Sequence, residues 1–130
     1  MMNYEILTMN DSKNILKNKS FLFAIRIVEL YKYLSTDRKE FVLSKQLLRS
    51  GTSVGANIRE AKNAESAMDF VHKLAIAQKE CDETLYWLEL LFQTKFIVEN
   101  EYKTISNDAE ELLKMLRSSI LTKKKNLKVN

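Results

Sequence analysis

Residues 47–61 read Leu-Leu-Arg-Ser-Gly-Thr-Ser-Val-Gly-Ala-Asn-Ile-Arg-Glu-Ala and contain both glycines of a chain that has no proline. Glycine and serine favour turns, so the stretch taken alone suggests a loop. Its apolar and small residues nevertheless recur every three or four positions and share one side of a helix: Leu43, Leu47, Gly51, Val54, Ile58 and Ala61. This spacing predicts one helix over residues 41–62, with Gly51 on its buried side and Gly55 beside it. Small residues there let a second backbone come close.

The remaining sides of this helix are polar in two different ways. A basic face lies opposite the apolar side and consists of Lys45, Arg49, Thr52, Ala56 and Arg59. An uncharged polar stripe lies between the two and consists of Gln46, Ser50, Ser53 and Asn57. The basic face is either solvated surface or a face that binds an anion or a second subunit. The uncharged stripe favours a partner held by hydrogen bonds.

The composition bounds the fold class. The chain has 130 residues, of which 45% are hydrophobic and 29% charged. This length suits one domain, and the near absence of helix-breaking residues predicts an all-α fold with short connections. The formal net charge of +4 is compatible with nucleic-acid contact but does not establish it.

The sequence also indicates in which cellular compartment the protein is expected. Cys81 is the single cysteine, so an intrachain disulfide is excluded, and its place among apolar helix positions indicates a buried structural thiol. Residues 1–19 lack the basic start and apolar run of a signal peptide, and the apolar runs elsewhere are too short to span a bilayer. We expect a cytoplasmic protein without membrane contact.

The first helix is expected over residues 15–35, after a flexible arm at residues 1–12 that offers Asn10, Asp11 or Ser12 as a cap. Its apolar residues form two overlapping series, which are Phe21, Ala24, Val28 and Tyr31, and Phe23, Ile27, Leu30 and Leu34. One buried stripe needs only one series, so this helix is expected to pack against more than its own bundle. Residues 35–37, Ser-Thr-Asp, are expected to end it and to cap the second helix.

The third helix is predicted from the longest seam, in which steps of four and three alternate: Ala67, Val71, Leu74, Gln78, Cys81, Leu85, Leu88 and Phe92. Five further residues are expected to widen this seam: Phe70, Ala77, Thr84, Trp87 and Leu91. Ser66 or Asn63 is expected to cap it. Most of its charged residues are acidic. We expect it to complement the basic second helix, within the chain or across a subunit contact.

The fourth helix is expected to start at Glu99 or Asn100, and its seam is Tyr102, Ile105, Ala109, Leu112, Leu116 and Ile120. Residues 123–130, which begin with three lysines, are expected to form a basic C-terminal tail. Short connections between the four helices predict an antiparallel up-down-up-down four-helix bundle over residues 13–122.

Residues 43–60 resemble the signature of the bacterial four-helix-bundle proteins named for the intervening sequences of 23S ribosomal RNA genes. The resemblance covers roughly residues 14–122, and the residues that recur together at the family's spacing are Gln46, Arg49, Ser53, Asn57, Ile58 and Glu60. The family is similar in fold to the accessory protein of diversity-generating retroelements, a basic homopentamer that binds nucleic acid and a reverse transcriptase. The resemblance implies a four-helix bundle that assembles as a homopentamer.

Two functions of different class follow. The first is a non-enzymatic homo-oligomer that binds RNA or another nucleic acid through Lys45, Arg49, Arg59, Lys62, Lys123, Lys124 and Lys125. Close helix contacts or subunit contacts are assigned to Gln46, Ser50, Gly51, Ser53, Gly55 and Asn57. The alternative is a protein-binding adaptor or scaffold with no specific nucleic-acid role.

An enzyme is disfavoured, and no cofactor or metal is expected. Di-iron bundles need a Glu-x-x-His motif on each of two helices, but His72 is the only histidine. The sequence also has no Gly-rich phosphate loop, nucleophile elbow or cysteine cluster.

Overall fold

A computed structural model describes residues 14–129, and nearly all of them lie in four α-helices joined by short loops. The helices are α1 (Ile15–Thr36), α2 (Leu43–Lys62), α3 (Ala67–Gln93) and α4 (Glu99–Val129). No strand occurs within these residues, and the all-α prediction is confirmed. The predicted arm at residues 1–12, with its candidate caps, lies outside the described residues.

Each helix packs antiparallel against the next, and α4 closes the bundle against α1. Two contacts per seam give the direction: Ile27 with Gly51 and Ser20 with Gly55, Ser50 with Thr84 and Glu60 with Lys73, Cys81 with Ala109 and Phe92 with Tyr102, and Lys19 with Glu111 and Arg26 with Asp108. In every seam the residue numbers rise along one helix while they fall along the other. The predicted up-down-up-down four-helix bundle is therefore confirmed.

Helix α2 runs through both glycines, as the apolar spacing predicted. Gly51 is buried, and a Cβ atom built on it would lie 2.8 Å from Cγ1 and Cγ2 of Ile27 on α1. No side chain fits this gap. Glycine has a low helix propensity, but at position 51 it allows α1 to approach α2 closely. On the other flank of α2, Ser50 Oγ lies 3.0 Å from Thr84 Oγ1 of α3, and both residues are fully buried.

The core follows the predicted seams, and on α3 it combines three residues of the predicted seam with three of those predicted to widen it. The buried residues of α3 are Leu74, Ala77, Cys81, Thr84, Leu88 and Leu91. Gln78 and Leu85, which belong to the predicted seam, are only half-buried. The buried Thr84 hydroxyl is hydrogen bonded to Ser50 Oγ of α2 at 3.0 Å and to Glu80 O at 2.8 Å, so its polar group is satisfied in the core.

Of the two apolar series on α1, one is inside and one is not. Phe23, Ile27, Leu30 and Leu34 are buried in the core. Phe21, Ala24, Val28 and Tyr31 are half-buried. The second series therefore lies at the surface of the chain, and the packing of α1 against a further partner stays a prediction.

Residues 35–37 end α1 as predicted, but they do not cap α2. Ser35 and Thr36 remain inside α1, where their hydroxyls donate to the carbonyl oxygens of Tyr31 and Lys32 at 2.9 and 2.5 Å. A serine or threonine hydroxyl can either cap a helix or donate to a carbonyl oxygen of the preceding turn. Ser35 and Thr36 do the latter, so they do not cap α2.

Glu40 caps α2 instead. Its carboxylate accepts hydrogen bonds from the backbone N–H groups of Val42, Leu43 and Ser44, at 3.1, 2.9 and 2.7 Å. Burial alone would raise the pKa of Glu40, but these hydrogen bonds outweigh burial and lower the pKa below its ordinary value of 4.5. A carboxylate three residues before a helix thus satisfies N–H groups that the helix itself leaves unpaired.

Helices α3 and α4 begin near the predicted residues, but α4 ends later than expected. Ser66 Oγ accepts the N–H of Asp69 at 3.0 Å and caps α3. Residues 123–129, which belong to the predicted basic tail, are helical and continue α4. Residues 121–129 contain no glycine or proline that would stop the helix.

Glu40→Gln should destabilise the protein by about 0.5–2 kcal/mol at neutral pH, because the cap of α2 loses its charged acceptor. The native pKa is lowered, so the carboxylate's contribution is fully present above the unfolded value and is lost as pH falls through the native value. Urea unfolding between pH 7 and pH 3 should show the gap between wild type and variant closing below about pH 4.5. Glu29→Gln, at an exposed ion pair within α1, is the control, and an equal gap for the two variants would refute the capping role.

Candidate nucleic-acid and subunit interface

The basic face predicted on α2 is divided by contacts within the chain. Arg49 extends to α3, where its Nη1 lies 3.2 Å from Glu80 Oε2 and its Nη2 forms an ion pair with Glu83. The charge of Arg49 is therefore largely neutralised by two carboxylates of the same chain. The predicted complementarity between the second and third helices holds within the chain at this position.

Arg59 contacts α1 rather than a carboxylate. Its guanidinium carbon lies 4.8 Å from the ring centroid of Phe21, in a cation–π contact. The side chain remains exposed and keeps its charge available to solvent. Arg59 is one turn from the end of α2, so this charge lies near one end of the bundle.

Lys45 is exposed in the first turn of α2 and forms no ion pair with the described residues. Lys62 is the last residue of the same helix. At 1.5 Å per residue, the two lysines are about 25 Å apart along the axis. The predicted cations of α2 therefore do not form one continuous patch.

The fold gathers the other predicted cations at one end of the bundle, where α2 and α4 both terminate. Lys62 and Lys123 line a shared recess with Glu65 and Phe70, and Lys123 Nζ lies 5.4 Å from the Phe70 ring centroid. Lys124 and Lys125 follow on the exposed surface of α4. Lys62, Lys123, Lys124 and Lys125, with Arg59 nearby, are termed the basic end below.

The small and polar residues assigned to close contacts separate into two groups. Ser50, Gly51 and Gly55 face neighbouring helices of the same chain, and a Cβ atom on Gly55 would lie 3.3 Å from Ser20 O. Gln46, Ser53 and Asn57 lie at or near the surface, and the last two bond within α2: Ser53 Oγ donates to Arg49 O at 2.7 Å, and Asn57 Nδ2 to Ser53 O at 2.9 Å.

A recess of about 310 Å³ lies between α1 and α2 on the outside of their close contact. Its lining is uncharged apart from Arg59 and consists of Ser20, Phe21, Ala24, Thr52, Gly55 and Ala56. Thr52 and Ala56, which sequence analysis placed on the basic face, thus belong to an uncharged surface shared with α1.

Sequence analysis missed the polar cluster between α1 and α4. Arg26 Nη1 lies 2.9 Å from Asp108 Oδ2, and Nη2 lies 3.6 Å from Glu101 Oε2 and hydrogen bonds to Thr104. Lys19 forms an ion pair with Glu111 along the same seam. The carboxylates of α4 recur at helical spacing, and this pattern was the available signal.

No group of three His, Cys, Asp or Glu within residues 14–129 could hold a metal ion. Cys81 is buried, its Sγ donates to Ala109 O at 3.3 Å, and burial together with nearby Asp82 and Glu110 raises its pKa to about 12. The thiol is thus protonated and inert at neutral pH. Across the described part of the chain, no helix is both long enough and apolar enough to cross a membrane.

Comparison with known proteins agrees with this architecture. A family model described as 23S rRNA-intervening sequence protein matches residues 12–118. A crystal structure of a protein of unknown function from the S23 ribosomal protein family, from Bacteroides thetaiotaomicron VPI-5482, is 58% identical, with a TM-score of 0.80. The match covers 81% of this chain and 97% of that one. No curated protein matches the chain. The family match spans most of the sequence, and the chain therefore belongs to the 23S rRNA-intervening sequence protein family.

Proposed function

We propose that this chain is a non-catalytic, homo-oligomeric protein that binds RNA through its basic end. The observation that carries the proposal is the convergence of Lys62 and Lys123, 61 positions apart in sequence, on one recess where α2 and α4 terminate. Arg59, Lys124 and Lys125 enlarge this positive surface. Cations on two helix ends, held by a packed bundle, suit contact with a phosphate backbone.

The chemistry of the basic end favours phosphates over bases. Phe21 and Phe70, the nearest aromatic rings, are half-buried and already covered by Arg59 and Lys123. Rings in such contacts are not free to stack on bases, which is how many proteins hold single strands. Binding should consequently depend on salt and discriminate little between sequences.

Oligomerisation is the second part of the proposal. The recess between α1 and α2, with the half-buried second series of α1 beside it, is the surface that we assign to the subunit contact. Uncharged surface with small residues suits close packing of a second chain. The family resemblance favours five copies, and a ring of copies would repeat the basic end, so modest contacts combine on one polyanion.

A protein-binding adaptor is the competing function. It is favoured by the ion pairs that Arg49 makes with Glu80 and Glu83, because they remove the central charge of the predicted stripe. In that case the basic end is solvated surface and its RNA affinity is that of any cationic protein.

Multi-angle light scattering at micromolar concentration should give a mass of about five chains for the wild type. Ala56→Glu should lower this mass, because it places a carboxylate in the uncharged recess, while Ala56 is exposed in the single chain and its replacement leaves the bundle folded. Ser118→Glu, on the exposed surface of α4, is the matched control and should keep the wild-type mass. A monomeric wild type would refute the oligomer, and an unchanged mass for Ala56→Glu would refute this subunit contact.

RNA binding is tested by removing three charges from the basic end in Lys62→Ala/Lys124→Ala/Lys125→Ala. If each lysine neutralises one phosphate, the log–log salt slope for a single strand should fall in magnitude by about 2, and affinity should fall for every sequence tried. The matched control, Lys79→Ala/Lys103→Ala/Lys114→Ala, removes three charges from exposed helix positions elsewhere. Binding is measured by fluorescence anisotropy across a salt series. Equal losses in the two triple variants would favour the adaptor function.

A further inference from the structure

The end of the bundle opposite the basic end carries an open recess between α1 and α4. The recess has a volume of about 330 Å³, and Leu30 and Ile97 lie at its floor with 4% and 5% of their surface exposed. Tyr33 and Val98 border it and are 42% and 72% exposed. Ligand sites in proteins hold about 300–1,000 Å³, so this recess has room for one large side chain of a binding partner.

Val98 contributes apolar surface to the recess and little to the fold of the single chain. It directly precedes α4, and its carbonyl oxygen accepts the N–H of Tyr102 at 3.0 Å. Serine, threonine, asparagine and aspartate are favoured at this position, because their side chains accept an N–H group of the first turn. A valine side chain accepts no hydrogen bond, and that of Val98 is mostly outside the core. Replacing it by serine therefore changes the recess without weakening the fold.

Contacts around the α3–α4 loop hold the recess in shape. Arg38, in the loop between α1 and α2, donates to Phe96 O at 2.7 Å and to Lys95 O at 3.2 Å. Its guanidinium carbon lies 5.2 Å from the Phe96 ring centroid. On either side of the α3–α4 loop, the rings of Phe92 and Tyr102 are stacked with their centroids 4.6 Å apart. A partner that binds here meets a preformed surface and does not have to order a loop.

The charged residues that line the recess favour a cation. Glu29 and Glu101 line it together with Arg26, whose guanidinium lies closer to Asp108 than to Glu101, at 2.9 Å against 3.6 Å. Glu29 pairs with Lys32 of its own helix at 3.7 Å, and both of these side chains are largely exposed. The carboxylates of Glu29 and Glu101 are therefore open to a further cation. Such a rim repels a phosphate backbone and attracts a basic protein segment.

We propose that the recess over Leu30 and Ile97 is a docking site for a segment of a partner protein that carries an apolar side chain flanked by lysine or arginine. The apolar side chain enters between Tyr33 and Val98, and the flanking cation pairs with the carboxylates at the rim. The site lies at the far end of the bundle from the basic end, and on the other flank of α1 from the recess that α1 shares with α2. Binding at this site is independent of the proposed RNA and subunit contacts.

The docking site is tested with three short fluorescent peptides. The first has one phenylalanine flanked by lysines, the second has serine in place of the phenylalanine, and the third has glutamate in place of the lysines. Fluorescence anisotropy should show the first peptide binding about tenfold tighter than the second, because only phenylalanine buries apolar surface in the recess. The third should not bind, since its charge has the same sign as the rim. Equal affinities for the first two peptides would overturn the proposal, because charge alone would then explain the binding.

Val98→Ser should weaken binding of the phenylalanine peptide roughly threefold or more, because the recess loses an apolar border. Val42→Ser is the matched control, since Val42 is 71% exposed and directly precedes α2 but does not line the recess. Circular dichroism should show both variants folded. Equal losses of affinity in the two variants would overturn the docking site. A lower oligomer mass for Val98→Ser alone in light scattering would also overturn it, because the recess would then be a subunit contact.

Glu29→Gln/Glu101→Gln should also weaken binding of the phenylalanine peptide and make it less dependent on salt, because the lysines of the peptide lose their partners. Glu89→Gln/Glu110→Gln removes two exposed carboxylates elsewhere on the bundle and should leave the affinity unchanged. Equal effects of the two double variants would contradict the pairing at the rim, since the peptide would then respond only to the overall charge of the protein.

Discussion

The close approach of α1 and α2 at Gly51 is the constraint on which the rest of the bundle depends. With a Cβ position only 2.8 Å from Ile27, α2 cannot carry any other residue there unless α1 moves away. The approach sets the rotation of α2, which turns Ser50 toward α3 and leaves Thr52 and Ala56 outside. One backbone contact thereby decides which side of α2 is core, which meets α3 and which is available to a partner.

The rotation of α2 also determines where its basic side chains lie. Arg49 is directed at the carboxylates of α3 and is neutralised, whereas Arg59 and Lys62 are carried to the end of the bundle. Because α4 extends to Val129, Lys123, Lys124 and Lys125 also lie on a helix at this end of the bundle. The proposed RNA contact depends on helix ends coming together more than on a stripe along one helix.

The fold could be predicted because its signals are local and repeated. Apolar residues at helical spacing identify each helix, and the spacing through Gly51 was strong enough to outweigh the turn preference of Gly and Ser. Details that depend on neighbouring helices could not be predicted. Glu40 lies outside its helix and has no capping signature. Gln78 was placed on the seam of α3 but is only half-buried, because the rotation of α3 depends on the helices that pack against it. The pairing of Arg49 needed the register between α2 and α3, which a single sequence does not supply.

A double-mutant cycle between Gly51 and Ile27 tests the central constraint most directly. Gly51→Ala alone should lower the free energy of unfolding, because the added methyl group meets Ile27, although alanine is the better helix former. In the Ile27→Ala background the same change should be neutral or stabilising, with a coupling energy of about 0.5–3 kcal/mol. If Gly51→Ala has the same effect in both backgrounds, the approach of α1 to α2 is not the contact that organises this bundle.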